Sequence, residues 1–207
     1  MIFQNRVEAG KLLAKEVMSF HGSEDVVAVG LARGGVVVAL EVSKTLEVAL
    51  DVMVVRKIGA PDNPELALGA IAEKGRGIFN DDLITLLGVS KEYLKKETER
   101  EREIVKQRKS LYLHGKQESS LSGKTVLLID DGMATGASMK VAIASCKEAG
   151  ASKIIVAVPV APMGACNAME ELVDEVVCLD RPSSFPAVGA FYKDFDQVTD
   201  QQIIQMI

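Results

Sequence analysis

The chain has 207 residues, 48% of them apolar, with 24 Lys and Arg against 29 Asp and Glu. That apolar share is enough for a sizeable core and excludes disordered and fibrous classes, and the length suits one ordinary domain. A net charge of −5 and a pI of about 5.2 are the wrong sign for a general nucleic-acid coat or a polybasic membrane binder, while a small phosphorylated ligand needs only a local pocket.

Charges arrive at once at the N-terminus (Arg6, Glu8) and no apolar run follows, so no signal peptide is expected. Residues 5–20 carry Val7, Leu12, Leu13 and Val17 at helical spacing and predict an opening amphipathic helix. Residues 26–31 read as a short buried strand, after which Gly34 and Gly35 open a helix to about residue 46. Residues 50–55 (LDVMVV) read as a second buried strand. Pro61 and Pro64 bracket Asp62 and Asn63, which is loop chemistry. Residues 66–72 and 77–80 read as short strands of a hairpin across Glu73, Lys74, Gly75 and Arg76. Ser90 is the expected N-cap of a long helix to about residue 113, with Val89 and Leu94 as its hydrophobic staple. Glu residues interleave with bases along that helix, so it reads as a solvated face and not a nucleic-acid arm.

Gly123 turns the chain into a third buried strand, residues 125–129. A helix over 136–149, a strand over 154–158, a helix over 164–173, a strand over 175–179 and an amphipathic segment over 199–207 follow. The longest uncharged run, residues 154–169, is broken by Pro159 and Pro162 and is too short for a bilayer span of about 20 residues, so a cytoplasmic protein with no membrane partner is expected. Cys146, Cys166 and Cys178 are odd in number and form no CxxC pair, and His21 and His114 are the only histidines. The cysteines read as small buried hydrophobes, not zinc ligands.

Short apolar strands alternating with helices give an α/β class with a mostly parallel sheet flanked by helices. In such sheets ligands bind beyond the carboxyl ends of the strands, which directs attention to the residues after Leu31, Val55 and Ile129. Residues 126–138 read VLLIDDGMATGAS. Two consecutive carboxylates, Asp130 and Asp131, stand at the end of a strand, and a Thr135-Gly136-Ala137-Ser138 turn leads into a helix. Adjacent carboxylates accept hydrogen bonds from the vicinal hydroxyls of a ribose. A glycine turn at a helix N-terminus presents backbone N–H groups to an anion. The combination describes a ribose 5-phosphate site. Gly123-Lys124-Thr125 is a decoy for a P-loop, because Glu118 stands where that motif needs glycine, and GLARGG at 30–35 is not GxGxxG.

VLLIDDGMATGAS resembles the phosphoribosyl pyrophosphate (PRPP) signature of type I phosphoribosyltransferases, with Gly132 where the family usually carries an aliphatic residue. Ala32-Arg33-Gly34-Gly35 is similar to the family's pyrophosphate loop, in which backbone amides meet the diphosphate, often across a non-proline cis peptide. Arg56-Lys57, in VRKIG, resembles the strand end where basic residues approach the diphosphate, and residues 61–76 match the flexible loop that closes over the reaction. The resemblance spans residues 26–179 in outline. It implies a core over about 22–180 and a small hood built from 1–21 and 181–207, in a single domain of residues 1–207.

The implied activity is Mg²⁺-dependent transfer of the 5-phosphoribosyl group from PRPP to a small nitrogenous acceptor, a nucleotide-salvage type of reaction, with release of pyrophosphate. A non-catalytic PRPP-binding regulator on the same fold is the alternative. In this reading Asp130, Asp131, Arg33 and Lys57 are the catalytic set. Asp130 and Asp131 also serve the metal through water, and Ala32 to Gly35, Arg56, Lys57, Gly132, Met133, Ala134 and Thr135 to Ser138 complete the PRPP contacts. Ala134 occupies a position where 6-oxopurine transferases usually carry an Asp, which argues against hypoxanthine–guanine as acceptor; Glu65 and Glu73, near the loop, are acidic candidates for a base or mere surface charge. Many members dimerise, so a homodimer is open to this chain, and no nucleic-acid partner is implied.

The chain has nine aromatic residues, and four of them, Phe185, Phe191, Tyr192 and Phe195, fall in the last 27 residues. Their faces either stack on a flat acceptor (Phe185, Phe191 and Tyr192 as the pocket) or pack the tail onto the core, with the opening helix beside it.

Overall fold

The computed structural model describes residues 1–73, 75, 77–115 and 118–207, and at Glu65 the backbone alone. In chain order the elements are α1 (Arg6–Glu16), β1 (Val26–Leu31), α2 (Gly34–Leu46), β2 (Ala49–Met53), β3 (Arg56–Ala60), β4 (Asn63–Ile71), β5 (Ile78–Phe79), α3 (Asp81–Leu86), α4 (Lys91–Leu113), β6 (Thr125–Ile129), α5 (Ala137–Glu148), β7 (Lys153–Val160), α6 (Met163–Glu170), β8 (Glu175–Asp180) and α7 (Asp200–Met206). Five strands form a parallel sheet in the order β2-β1-β6-β7-β8, with Gly30 opposite Ile129 where the two central strands end.

The period-two rule sorts the apolar side chains of these strands between two helical layers. Val26, Ala28, Leu127 and Ile129 pack under α1 and α2 with Leu13, Val38, Val42 and Leu46. Val27, Val29, Val126 and Leu128 face α5 and α6 with Met139, Ile143, Cys146 and Cys166. All six residues of β1 are buried, which is why it reads as an unbroken apolar run. Gly30 lets α2 lie close on the sheet: a Cβ there would fall 2.8 Å from Val36 Cα and 2.9 Å from Ala39 Cβ. Cys146 and Cys166 are buried and all three thiols are free; burial pushes the Cys146 thiol up to about 12.

Several expectations change in contact with the fold. The opening helix stops at Glu16 and residues 18–20 form a 3₁₀ turn. Residues 61–65, expected as a loop, are only partly so: Pro61 and Asp62 form the turn, and β4 already begins at Asn63, so that most of the segment matched to the family's flexible loop, as far as Ile71, is strand. Arg56 and Lys57 do not end the second parallel strand; they open β3, which pairs antiparallel with β4 in a second sheet of order β3-β4-β5. Register shifts beside Gly59 accommodate Pro64, whose carbonyl would lie 2.5 Å from a Cβ on Gly59, so the tight approach requires glycine. The β4–β5 hairpin is present, although Lys74 and Arg76 lie outside the described residues. A short helix, α3, was not expected; the Asn80 side chain caps it by accepting from Leu83 N–H, with Asp81 and Asp82 in its first turn.

Ser90 caps α4 as expected, its hydroxyl accepting from Tyr93 N–H. The helix is not solvated all round, since Glu101, Val105 and Tyr112 are buried. The terminal segments meet: Phe3 N–H donates to the Phe191 carbonyl (2.8 Å), and Lys193 and Asp194 N–H groups donate to the Phe3 (2.9 Å) and Gln4 (3.0 Å) carbonyls. Among the described residues no helix is long and apolar enough to cross a membrane.

Because the space over Gly30 is closed by backbone, Gly30→Ala should cost about 2 kcal/mol and lower Tm by about 4–8 °C. Thermal unfolding followed by circular dichroism checks this, and an unchanged Tm would contradict the close α2–β1 packing.

Candidate functional site

β1 and β6 are neighbours, so the loops that follow them come together at one point beyond the sheet. Gly34 and Gly35 lie directly against Asp130 and Asp131. A Cβ on Gly34 would sit 1.9 Å from Asp131 Oδ2, and one on Gly35 would sit 2.8 Å from Asp130 Cα and 2.9 Å from Asp130 Oδ1. No side chain fits at either position, so the backbone of the loop rests on the carboxylates. The Ala32–Arg33 peptide is cis, as the resemblance implies for this loop.

Each carboxylate has an internal partner. Asp130 Oδ1 accepts from Asp131 N–H at 2.9 Å, and Asp131 Oδ2 accepts from Arg6 Nε at 2.6 Å. Burial and the adjacent Asp131 charge push the Asp130 carboxyl well above its ordinary value. Burial also pushes Asp131 up, although the Arg6 guanidinium pulls against that rise. Tyr192 O–H donates to the Asp131 carbonyl, and burial with the nearby carboxylates pushes its phenol up.

The second half of the motif forms a cradle. Gly136 adopts a left-handed backbone, φ +75°, and caps the start of α5; a Cβ there would meet Met169 Cε at 2.9 Å. Ala134, Thr135 and Ala137 are exposed, and Ser138 is half-buried. The turn therefore lies at the solvent-facing N-terminus of α5, where the Ala137 N–H donates to the Thr135 hydroxyl at 3.5 Å, and a helix N-terminus of this kind is suited to phosphate. Met133 is different. Its side chain is buried in the core and its N–H donates to the Val160 carbonyl at 2.9 Å, so it anchors the loop and has no amide left for a ligand. Gly132 has an ordinary backbone, and its missing side chain is replaced from the tail: a Cβ there would lie 2.4 Å from Val188 Cγ1.

The predicted basic residues divide. Lys57 is exposed and lines a cavity of about 300 Å³ together with Thr135, Ala137, Lys140, Phe79 and Asn80, so it faces the turn that opens α5. Arg56 is drawn away: its Nε donates to Glu101 Oε2 at 2.6 Å on α4, a nearly buried carboxylate. Arg33 Nη1 is 3.6 Å from Asp200 Oδ1 on α7, and Asp200 also accepts from Tyr112 O–H at 2.6 Å. Glu73 pairs with Lys109 at 3.0 Å, a structural use, and the side chain of Glu65 lies outside the described residues.

Phe191 and Tyr192 are buried with Phe3, Ala9 and Val160, and Phe185 packs beside them half-buried. Phe185 stacks on Phe191 at 5.1 Å and Tyr192 on Phe195 at 4.9 Å between centroids. The tail aromatics thus seal the terminal segments onto the core, with Phe185 the most open of the three candidate pocket residues. Two residues at the site were not singled out beforehand. Lys140 stands two positions after Ser138, a spacing visible in the sequence; Arg6 reaches Asp131 across 125 positions, which no local pattern records.

A phosphoribosyl transferase domain family matches residues 2–189. A protein of Mycobacterium tuberculosis strain H37Rv, named "Putative phosphoribosyl transferase", is 37% identical over 206 residues, covering 100% of this chain and 46% of the relative. The chain thus spans about half the length of the curated relatives it matches. The crystal structure of the protein TT1426 from Thermus thermophilus is 41% identical with a TM-score of 0.83, covering 100% of this chain and 97% of that one. A purine phosphoribosyltransferase from Pyrococcus horikoshii has a TM-score of 0.50 at 17% identity, over 92% of this chain and 89% of that one, and so shares the fold. With the diacid, the glycine loop and the helix-capped cradle at the ends of adjacent parallel strands, the chain belongs to the phosphoribosyl transferase domain family.

Proposed function

We propose that this chain transfers the 5-phosphoribosyl group of PRPP to a small nitrogenous acceptor and releases pyrophosphate. The observation that carries this reading is the seating of the Gly34–Gly35 backbone on Asp130 and Asp131, next to the exposed turn at 134–138. One ligand that bears a diphosphate, a diol and a 5-phosphate engages all three at once.

In this reading Asp130 and Asp131 accept the ribose hydroxyls and stabilise the ring as positive charge develops at C1. The amides and hydroxyls of residues 135–138 hold the 5-phosphate, and Lys57 with Lys140 adds positive charge along the same cavity. The Gly34 and Gly35 backbone, together with Arg33, faces the diphosphate. Held at both ends, C1 is presented to the incoming nitrogen, so most of the rate comes from positioning and electrostatics. The acceptor approaches under the tail, where Val188 borders the motif. The exposed methyl of Ala134 offers no carboxylate to an N7 position, which disfavours 6-oxopurines.

The donors fit Mg²⁺. Two partly buried carboxylates sit side by side, Asp131 bonded to Arg6 and Asp130 to the Asp131 amide, and among the described residues no group of three or more His, Cys, Asp or Glu could form a full protein cage. Mg²⁺ takes one or two carboxylates and fills its remaining positions with water and substrate oxygens. Bound there, it would supply charge neutralisation to the departing diphosphate.

Asp131→Asn should weaken PRPP·Mg binding by about 10- to 100-fold, through the lost charge-assisted acceptor. Calorimetric titration of both forms checks this, and equal affinity would remove the diol-accepting role. Pyrophosphate release, measured across a panel of bases and amines, tests the transfer itself; PRPP binding with no release from any acceptor would instead favour the regulator reading.

Asp130→Asn should raise the stability of the ligand-free chain. The raised Asp130 value means that the folded state holds a proton which the unfolded chain has lost, so wild-type stability falls as pH rises from the ordinary carboxylate range through the raised value. The isosteric amide removes that penalty, and the ligand-free variant should melt about 2–4 °C higher at neutral pH. The gain should vanish as the pH is lowered to about 4, where the wild-type carboxyl is itself protonated. A variant that melts lower at pH 7 would contradict the buried-charge account.

A further inference from the structure

Arg6 is the residue that the N-terminal segment places at the site, one position past the Asn5 cap of α1. Its guanidinium makes three separate contacts. Nε donates to Asp131 Oδ2 at 2.6 Å, Nη1 donates to the Asp196 carbonyl at 2.9 Å, and the group lies 3.8 Å from the centre of the Phe195 ring. Only 11% of the side chain is exposed. It reaches the carboxylate through the gap left by Gly34, where a Cβ would fall 2.9 Å from Arg6 Nε. The planar fork makes this geometry specific to arginine: one face stacks on an aromatic ring while two edges donate in different directions.

The same tail holds Asp131 a second time. Tyr192 O–H donates to the Asp131 carbonyl, and the Tyr192 ring stacks on Phe195. Asp131 is therefore fastened to the tail by its side chain through Arg6 and by its main chain through Tyr192. Phe185 and Val188 lie between these fastenings and the end of β8, on the stretch that borders Gly132.

We propose that Arg6 is a positioning residue that couples Asp131 to the tail, so that the ribose-binding carboxylate and the acceptor-facing surface are assembled as one unit before any ligand arrives. The inference rests on the reading that Asp130 and Asp131 take the ribose of PRPP. Arg6 touches neither reactant in this scheme. It holds Asp131 against the Gly34 loop and, through Asp196 and Phe195, holds the tail over the motif. Breaking the link at either end loosens the tail, and removing the guanidinium loosens it more, because its contacts with Asp196 and Phe195 are lost as well.

Hydrogen–deuterium exchange on the ligand-free full chain tests the coupling. Arg6→Gln and Asp131→Asn should each raise exchange in residues 185–198 by about tenfold or more, as expected for loss of a hydrogen bond to a charged group, while β1 and β6 stay protected. The double variant should exchange no faster than the faster single variant, because both changes cut one link. Arg6→Lys should leave the tail as exposed as Arg6→Gln does, since a single ammonium cannot serve Asp131, Asp196 and Phe195 together. In turnover, Arg6→Gln should raise the acceptor KM by about tenfold and the PRPP KM by less, a split that general destabilisation would not produce. Unchanged tail exchange in both single variants, or additive effects in the double variant, overturns the coupling whether or not the protein binds PRPP. Equal rises in both KM values overturn the positioning role. A wild-type chain that fails to bind PRPP sinks the proposed function and leaves the exchange result decisive for the link. If Arg6→Gln does not fold, Arg6→Lys and Asp131→Asn, which keep charge or volume, carry the same comparison.

Discussion

The placement of two glycines on two carboxylates governs the molecule. Gly34 and Gly35 follow β1, Asp130 and Asp131 follow β6, and the parallel pairing of those strands sets both loops at one height above the sheet. The layers beneath make that height reproducible. Gly30 lets α2 press onto the sheet, and Gly10 lets α1 press onto α2, where a Cβ would meet Glu41 Cβ and the Val38 carbonyl at 2.8 Å. Small residues thus act twice, once to thin the helix–sheet packing and once to let the backbone touch the diacid.

That arrangement carries an electrostatic cost. Two adjacent carboxylates withdrawn from water resist ionisation together, and the ligand-free chain offsets this with one guanidinium and one main-chain amide. The two apolar layers on either side of the sheet supply the stability that tolerates the buried charge. A protein arranged only for stability would place amides or hydrophobes there. Retained acidic groups at such a cost mark a site with chemistry to perform.

Elements set by local chemistry were readable from the sequence. β1 is an unbroken apolar run, β6 is one after Thr125, Ser90 caps α4, and the strand, the diacid and the turn that opens α5 follow one another within about a dozen residues. The β4–β5 hairpin of the antiparallel sheet was readable, but the β3–β4 pairing was not, because Pro61 and Pro64 look like loop residues until the register shift beside Gly59 absorbs them. The start of α3 is marked locally in the sequence, by Asn80 as cap with Asp81 and Asp82 in the first turn. The roles of the basic residues were hidden for a different reason. Arg56 finds Glu101, Arg33 finds Asp200 and Arg6 finds Asp131 only once the chain has folded, and Glu101 looks like one more surface charge in a highly charged helix although it is 3% exposed. Spacing records neighbours along an element; it does not record which distant element will face it.

Gly132 carries a wider consequence. The volume that a side chain would occupy at this point of the motif is delivered by Val188, from a segment that follows the last strand of the sheet. Residues 56 positions apart thus share one small volume beside the loop. Looked at within the motif alone the glycine leaves a gap, and it is the tail that fills it. The practical result is a dependency between editing sites: a graft of this motif onto another scaffold without its tail would import a hollow, and a larger residue restored at 132 would have to be matched by a smaller one at 188.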